Sequence, residues 1–431
     1  MDEPQTTAPG PEPKNHDWLL VGILVLAVIL GVCGALASGL LTKVSSKQNS
    51  RASSSASSTS IIPTSTVTAS STPSDPPGAS ATSSDPVVAA ATSSYPTVVH
   101  VPLPDEVRGM YWTAWTAGSK RADSLLAYAS SSHLNTVVMD LKLDGGELGF
   151  VPRDPGLQEY APKSPVIGDL DALLGRLKDR GVYRIARIAV MRDGAFGRLH
   201  PETALRASGG GVWRDKTGVA WLDPAAPEVA DYALALAHEA YARGFDEIQF
   251  DYVRFASDGK LSAIRYPVYD GKLPKSEVMR KFFERVGGQL QSENIPVSFD
   301  LFGLTCCALD DLGIGQRLSD VMPYSDHVSQ MAYPSHYANG FEGFANPALF
   351  PYEVVKDTLD KSLVTLHTPT STQAVAAVQK KLRPWIQDFD LGAVYDASKV
   401  EAQIKAARDA NASGWMLWNA RNVYTPADYV K

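Results

Sequence analysis

Gly244-Phe245-Asp246-Glu247-Ile248-Gln249-Phe250-Asp251-Tyr252-Val253-Arg254-Phe255 decides how this chain is read. A helix-like run over Val229 to Arg243 leads through the Gly244 turn into an apolar strand, Glu247 to Val253. A carboxylate, Asp251, stands at the C-terminal end of that strand, with Arg254 just beyond it. Parallel α/β barrels keep their reactive groups at that position. Alternation along the strand puts Gln249, Asp251 and Val253 on one face and Ile248, Phe250 and Tyr252 on the other; the first set is assigned to the barrel interior. The plainer reading is an Asp/Arg pair that closes a strand, so the rest of the chain has to decide.

Outward from this segment, short β-rich apolar runs alternate with amphipathic stretches from about Asp105 to Lys431, as in βα units. The predicted strands are Val107 to Trp115, Thr136 to Leu143, Tyr183 to Val190, Glu247 to Val253, Val297 to Phe302, His327 to Tyr333, Pro384 to Phe389 and Gly414 to Trp418. Eight strands with helical stretches between them predict an α/β fold, a (β/α)8 TIM barrel, over residues 105–431. A doubly wound open sheet fits less well. No glycine-rich phosphate turn follows the first strand, and polar or aromatic residues recur at many strand ends instead of at one switch point.

The chain ahead of the barrel divides into three zones. Residues 1–17 form a polar, acidic tail. Trp18 to Leu41 is an apolar run without a charge, long enough to cross a bilayer core of about 30 Å, and is expected to be a transmembrane helix or signal anchor. Ala35-Leu36-Ala37 resembles a cleavage site, but the run is longer than a usual signal core and lacks a basic leader, which favours the anchor. Residues 42–104 are rich in Ser, Thr, Ala and Pro, cannot bury enough apolar surface to offset their ordering entropy, and read as a disordered linker.

These zones predict a single-pass protein of the cell membrane with the barrel outside the cytoplasm. Lys43, Lys47 and Arg51 follow the apolar run and by themselves argue for the opposite orientation. The long spacer, useful outside a cell and of little use inside, decides for the outside. A net charge of -7 gives no basic footprint, so nucleic acid is not expected as a partner. Cys33 lies in the apolar run, and Cys306 and Cys307 are adjacent, so there is no framework of loop-closing disulfides. The eight histidines show no paired ligand spacing, and neither a metal nor a cofactor is expected. Asn411-Ala412-Ser413 is an N-glycosylation sequon.

The strand ends carry the chemistry. They bring Asp140 and Lys142, Gln249, Asp251 and Arg254, Asp300, Gln330 and Tyr333, Gln387 and Asp388, and Trp418 towards one rim, with Trp112 on the first strand. Sugar rings stack their apolar faces on Trp and Tyr, and their hydroxyls demand carboxylates and amides in fixed places. A polysaccharide or oligosaccharide is therefore the expected substrate. Breaking a glycosidic bond takes two carboxyls in one cleft, one protonated and one ionised.

Residues 105–431 resemble a glycosyl hydrolase barrel family catalogued as a domain of unknown function. The likeness rests on D-E-I-Q-F-D-Y-V-R-F with S-D-G at Ser257 to Gly259, on Q-M-A-Y-P-S-H-Y, on R-P-W-I-Q-D-F-D and on G-W-M-L-W-N-A. It implies the barrel and a glycosidase activity. The chain is also distantly similar to chitinase-type barrels, whose fourth strand reads D-x-x-D-x-D-x-E and whose sixth carries M-x-Y. Asp246, Gln249, Asp251 and Val253 occupy the four motif positions here, and Met331-Ala332-Tyr333 follows later. Val253 replaces the acid glutamate, so substrate-assisted chitinase chemistry does not carry over.

The expected catalytic pair is Asp251 and Asp300. Arg254 and a polar setting would hold Asp251 ionised as nucleophile or base, whereas Phe299 and Phe302 would keep Asp300 protonated as the acid. Asp140 and Asp388 are substitutes for either role. About half of Trp112, Trp115, Tyr333 and Trp418 are expected to face the cleft, since strand aromatics are more often core. Lys142 is a sugar ligand or an ordinary strand-end ion pair, and His327 and His336 read as structural. Trp213 and Trp221, on the stretch between strands three and four, are placed on a loop over the rim that recognises substrate. The competing class is a carbohydrate-binding barrel without catalysis. A polysaccharide deacetylase or lyase ranks last, because no metal-ligand cluster supports deacetylation.

Overall fold

The computed structural model describes residues 98–429. The tail 1–17, the apolar run 18–41 and residues 42–97 of the expected linker lie outside the described residues. Among the described residues no helix is long and apolar enough to cross a membrane.

Eight parallel strands close into a barrel: β1 (Val107–Trp112), β2 (Thr136–Asp140), β3 (Tyr183–Ala189), β4 (Glu247–Asp251), β5 (Val297–Phe302), β6 (His327–Met331), β7 (Trp385–Gln387) and β8 (Gly414–Trp418). β8 closes on β1 with Val107 opposite Gly414. The thinnest seam is between β6 and β7, where Met331 opposite Trp385 is joined only by a bridge from Val328 to Leu382. Each predicted strand is present, most of them trimmed at the C-terminal end. β1 stops at Trp112 because the Thr113 side chain accepts the Thr116 N–H and starts a short helix, Ala114–Ala117. β4 stops at Asp251 because Tyr252 turns to a φ of 54°, in the left-handed region that side chains seldom occupy.

Among the described residues six longer helices pack outside the barrel: α1 (Arg121–Ser131), α2 (Leu170–Lys178), α3 (Pro227–Arg243), α4 (Lys275–Ser292), α5 (Pro351–Thr365) and α6 (Ala397–Asp409). α2 shows why such segments are helical. Leu170, Leu173, Leu174 and Leu177 form one buried stripe, Asp169 caps the Ala172 N–H, and Arg176 and Lys178 face the negative end of the dipole. α3 ends where Gly244 takes a φ of 112°, the left-handed cap that favours glycine, and so delivers the chain into β4.

The alternation of β4 continues across the sheet. Val107, Tyr111, Val138, Tyr183, Ile185, Tyr333, Trp385 and Met416 form an apolar cluster inside the barrel, whereas Ile248, Phe250, Val297 and Phe299 join the larger core between sheet and helices. Val253 belongs to that outer core and not to the interior as expected, since the alternation ends at Tyr252. The linker was expected to run to residue 104, but its last residues sit on the barrel. Val101 N–H donates to Asp246 Oδ1 at 2.7 Å, Arg184 donates to the Val99 carbonyl at 3.3 Å, and His100 stacks on Tyr241 at 4.0 Å.

Candidate active site at the barrel mouth

Three of the eight strands deliver an inward carboxylate at or near their C-terminal ends: Asp140 from β2, Asp251 from β4 and Asp300 from β5. All three meet one guanidinium, that of Arg187 on β3. Its Nη1 pairs with Asp140, its Nη2 with Asp251, and its Nε lies 3.7 Å from Asp300 Oδ2 without a hydrogen-bond partner. Register explains the convergence. Arg187 stands opposite Asp140 on one side and opposite Gln249, two residues before Asp251, on the other.

Aromatic side chains wall the cluster. Tyr111 donates its hydroxyl to Asp140 and stacks on Trp418 at 4.1 Å, and the Arg187 guanidinium lies over both rings. Trp385 Nε1 donates to Asp300 Oδ1 at 2.8 Å. Tyr333 sits 6.4 Å from Trp418 and 5.8 Å from Phe389, between centroids. The Tyr252 N–H donates to Asp251 Oδ1 at 2.5 Å, so the unusual turn after β4 also grips the carboxylate. The side chains of Asp140 and Asp251 are 11% and 10% exposed against 1% for Asp300, so the first two open to the mouth and the third is sealed beneath them.

Burial and position set the protonation states. Burial, then the charge of Asp251, push Asp300 well above the ordinary carboxylate range, and Arg187 only partly opposes this. Burial raises Asp140 as well, against Arg187 and the Tyr111 hydrogen bond. Burial alone would weaken the charge of Arg187, but Asp140 and Asp251 more than offset it and fix the guanidinium as a cation. Tyr111 and Tyr333 rise on burial and on the neighbouring carboxylates, so both hydroxyls stay protonated.

Several residues predicted for the cleft lie elsewhere. Arg254 is not the partner of Asp251. It donates to Ser257 Oγ at 2.9 Å and is stacked among Trp221, Tyr252 and Phe302. Lys142 is buried, pairs with Asp193 and donates to the Ala189 carbonyl at 2.6 Å, so the ion-pair reading holds, with Asp193 as its partner. Gln330 points out of the barrel, donating to Thr305 Oγ1 at 3.2 Å and accepting from Ser362 on α5 at 3.0 Å. Asp388 is committed to Thr425, from which it accepts at 2.6 and 3.0 Å, and is not free for either of the expected roles. Trp112 is fully buried in the outer core, and Trp115 is 65% exposed on its short helix. Of the four candidate platforms, Tyr333 and Trp418 join the cluster.

Gln249 lies one layer below Asp251, donating to Ser329 Oγ at 3.1 Å, while its buried Oε1 has no hydrogen-bond partner. Gln387 accepts from the Ser335 N–H at 3.1 Å and donates to the Phe389 carbonyl at 2.9 Å, so it ties rim loops together and leaves no amide free for a sugar. Trp213 and Trp221 are buried and bonded to the Lys260 carbonyl and to Asp215, so they form the core of the loop and do not recognise substrate from it. His336 packs beside Tyr333 and Phe389, and burial lowers it to about 4. Arg187, Tyr111 and Trp385 were missed. The parity of β3, with Tyr183 and Ile185 inside, marks Arg187 as an inward cation. Among the described residues, no group of three His, Cys, Asp or Glu side chains is placed to hold a metal ion.

Residues 109–424 match the model of a family described as "Putative glycosyl hydrolase domain". The glycoside hydrolase domain of PgaB (BpsB) from Bordetella bronchiseptica shares the fold at 14% identity and a TM-score of 0.50, over 73% of this chain and 94% of that one. A hypothetical protein from Ruminiclostridium thermocellum ATCC 27405 is 30% identical over 47% of this chain and 98% of its own, with a TM-score of 0.40. The catalytic domain of a hyperthermophilic chitinase from Pyrococcus furiosus is 10% identical over 74% of this chain and 85% of its own, at 0.43. No curated protein matches the chain.

Proposed function

The chain belongs to this glycosyl hydrolase family, and on that premise we propose a membrane-anchored glycoside hydrolase that cleaves a cell-wall or extracellular polysaccharide at the barrel mouth. One observation carries the reading: three strand-end carboxyls share a single arginine, and burial with the charge of Asp251 raises one of them, Asp300, well above the ordinary carboxylate range. The anchor rests on the apolar run Trp18 to Leu41, and the outward placement on the Ser/Thr/Pro-rich linker that follows it.

The catalytic pair remains Asp251 and Asp300, with roles adjusted to exposure. Asp251 meets the sugar. Asp300 is sealed below, is raised by burial and by the charge of Asp251, and is the acid of the pair. Asp140, as open as Asp251 and held across the same guanidinium, is the carboxylate left to activate water or receive the sugar. Trp418, stacked on Tyr111, and Tyr333 supply the apolar face for a ring.

A second reading, a carbohydrate-binding barrel without catalysis, draws on one observation. Arg187 already engages both mouth carboxylates, and the raised carboxyl, Asp300, is only 1% exposed. Release of reducing ends from a panel of wall and exopolysaccharides separates the two, measured for the protein and for Asp251→Asn, Asp300→Asn and Asp140→Asn. The hydrolase reading expects release by the parent protein and its loss in all three variants, with circular dichroism unchanged. Glycan binding by all four proteins with release by none would establish the binding barrel instead.

A further inference from the structure

β5, the strand of Asp300, runs into a tight turn, Gly303–Cys306, and on to Cys307. Only glycine lets the turn lie this close to its neighbours, since a Cβ on Gly303 would stand 2.3 Å from the Tyr337 hydroxyl and 2.6 Å from the Met331 carbonyl oxygen. The turn is also fastened at its sides. Thr305 donates to the Phe302 carbonyl at 2.7 Å, and Thr365 on α5 donates to the Cys306 carbonyl. On this held turn the two Sγ atoms are 3.0 Å apart, and both cysteines are free thiols.

The two thiols differ in access. Cys306 is fully buried, whereas Cys307 is partly exposed. We infer that Cys306 and Cys307 are an oxidisable dithiol on the rim, in which Cys307 takes up a small-molecule disulfide and Cys306 resolves it, closing a disulfide between neighbouring residues. Cys307 thiolate attacks one sulfur of the small disulfide and expels one thiolate; Cys306 then loses its proton and attacks Cys307 Sγ, expelling the second. Two cysteine thiols are oxidised, and one small disulfide is reduced to two thiols. The hydrogen bond that Cys306 donates lowers the Cys307 thiol from its usual range, and the same contact with burial raises Cys306, which fits this order of attack.

This inference does not depend on the barrel being a hydrolase. The full-length protein is treated with oxidised glutathione, alkylated, digested and weighed by mass spectrometry. The peptide carrying residues 306 and 307 is expected to be lighter by two hydrogens and free of alkylation, and dithiothreitol is expected to restore both alkylation sites. Cys306→Ser should instead retain a glutathione adduct on Cys307. A lasting glutathione adduct in the parent protein, two alkylated cysteines, or a link to Cys33 would overturn the dithiol, and a Cys306→Ser protein without any adduct would overturn the role of Cys307.

Discussion

The barrel interior holds ion networks at both ends, and they are built on opposite plans. At the N-terminal end Glu247, the first residue of β4, faces Arg383 one to one, and both side chains are 0% exposed. Ser298 donates to Glu247 Oε1 at 2.6 Å and Tyr183 to Oε2 at 3.2 Å. Burial opposes the charge of Glu247, but Arg383, together with His327 and the Ser298 hydrogen bond, more than offsets it and holds the carboxyl below its ordinary range. His327 nearby is lowered to about 4, by burial first and Arg383 second, so it stays neutral and does not compete. At the mouth one arginine serves three aspartates, and burial with the charge of Asp251 pushes Asp300 well above the ordinary carboxylate range. Matched charges make a structural joint. A surplus carboxyl leaves one member of the set raised.

The comparison breaks most visibly at Asp251. Asp251→Asn is expected to lower kcat/KM on a cleaved polysaccharide by about 10²–10⁴-fold, read from initial rates, while the urea midpoint moves little because Asp140 still pairs with Arg187. Next in size, Glu247→Gln should cost about 3–5 kcal/mol of unfolding free energy in urea titration, because it strands a buried Arg383. Activity per folded molecule should be kept. Equal loss of activity in the two variants would mean that the ends are not separate devices.

The alternation that separates these ends was legible in the sequence, as far as β4 runs. Glu247, Gln249 and Asp251 point inward in successive layers, and the barrel followed from eight short apolar runs alternating with helical stretches. The errors came where sequence neighbours stood in for register neighbours. Arg254 is three residues from Asp251, yet Tyr252 turns the chain out of the strand between them, while Arg187 lies 64 residues away on the neighbouring strand, opposite Gln249. Parity, applied only along β4, would have moved two more residues out of the cleft. Tyr111, and not Trp112, shares the inward side of β1, and on β6 Ser329 faces Gln249 while Gln330 faces α5. The commitments of Asp388 to Thr425 and of Lys142 to Asp193 depend on loops whose paths no local pattern reveals.

Opposite pKa directions sharpen the comparison further. A raised carboxyl binds more protons in the fold, so the Asp300 contribution is present at low pH and is lost as pH climbs from about 3.9 through its folded value. Glu247 is lowered, so its contribution is present above about 4.3 and is lost as pH falls through its folded value. Asp300→Asn should therefore flatten the alkaline side of the stability profile, measured by thermal melts across pH, and Glu247→Gln the acid side. The smallest effect is expected at the sugar platform. Trp418→Ala removes the stack on Tyr111 and should weaken oligosaccharide binding by about 0.5–1.5 kcal/mol in calorimetry.

The central claim, that the mouth stores a proton while the closed end is fully ionised, is tested most directly by difference infrared spectroscopy at neutral pH. The parent spectrum minus that of Asp300→Asn should show the carbonyl band of a protonated carboxyl, and the parent minus Glu247→Gln should show only ionised carboxylate bands. A carboxylate band in place of the protonated one in the Asp300 difference would contradict the account.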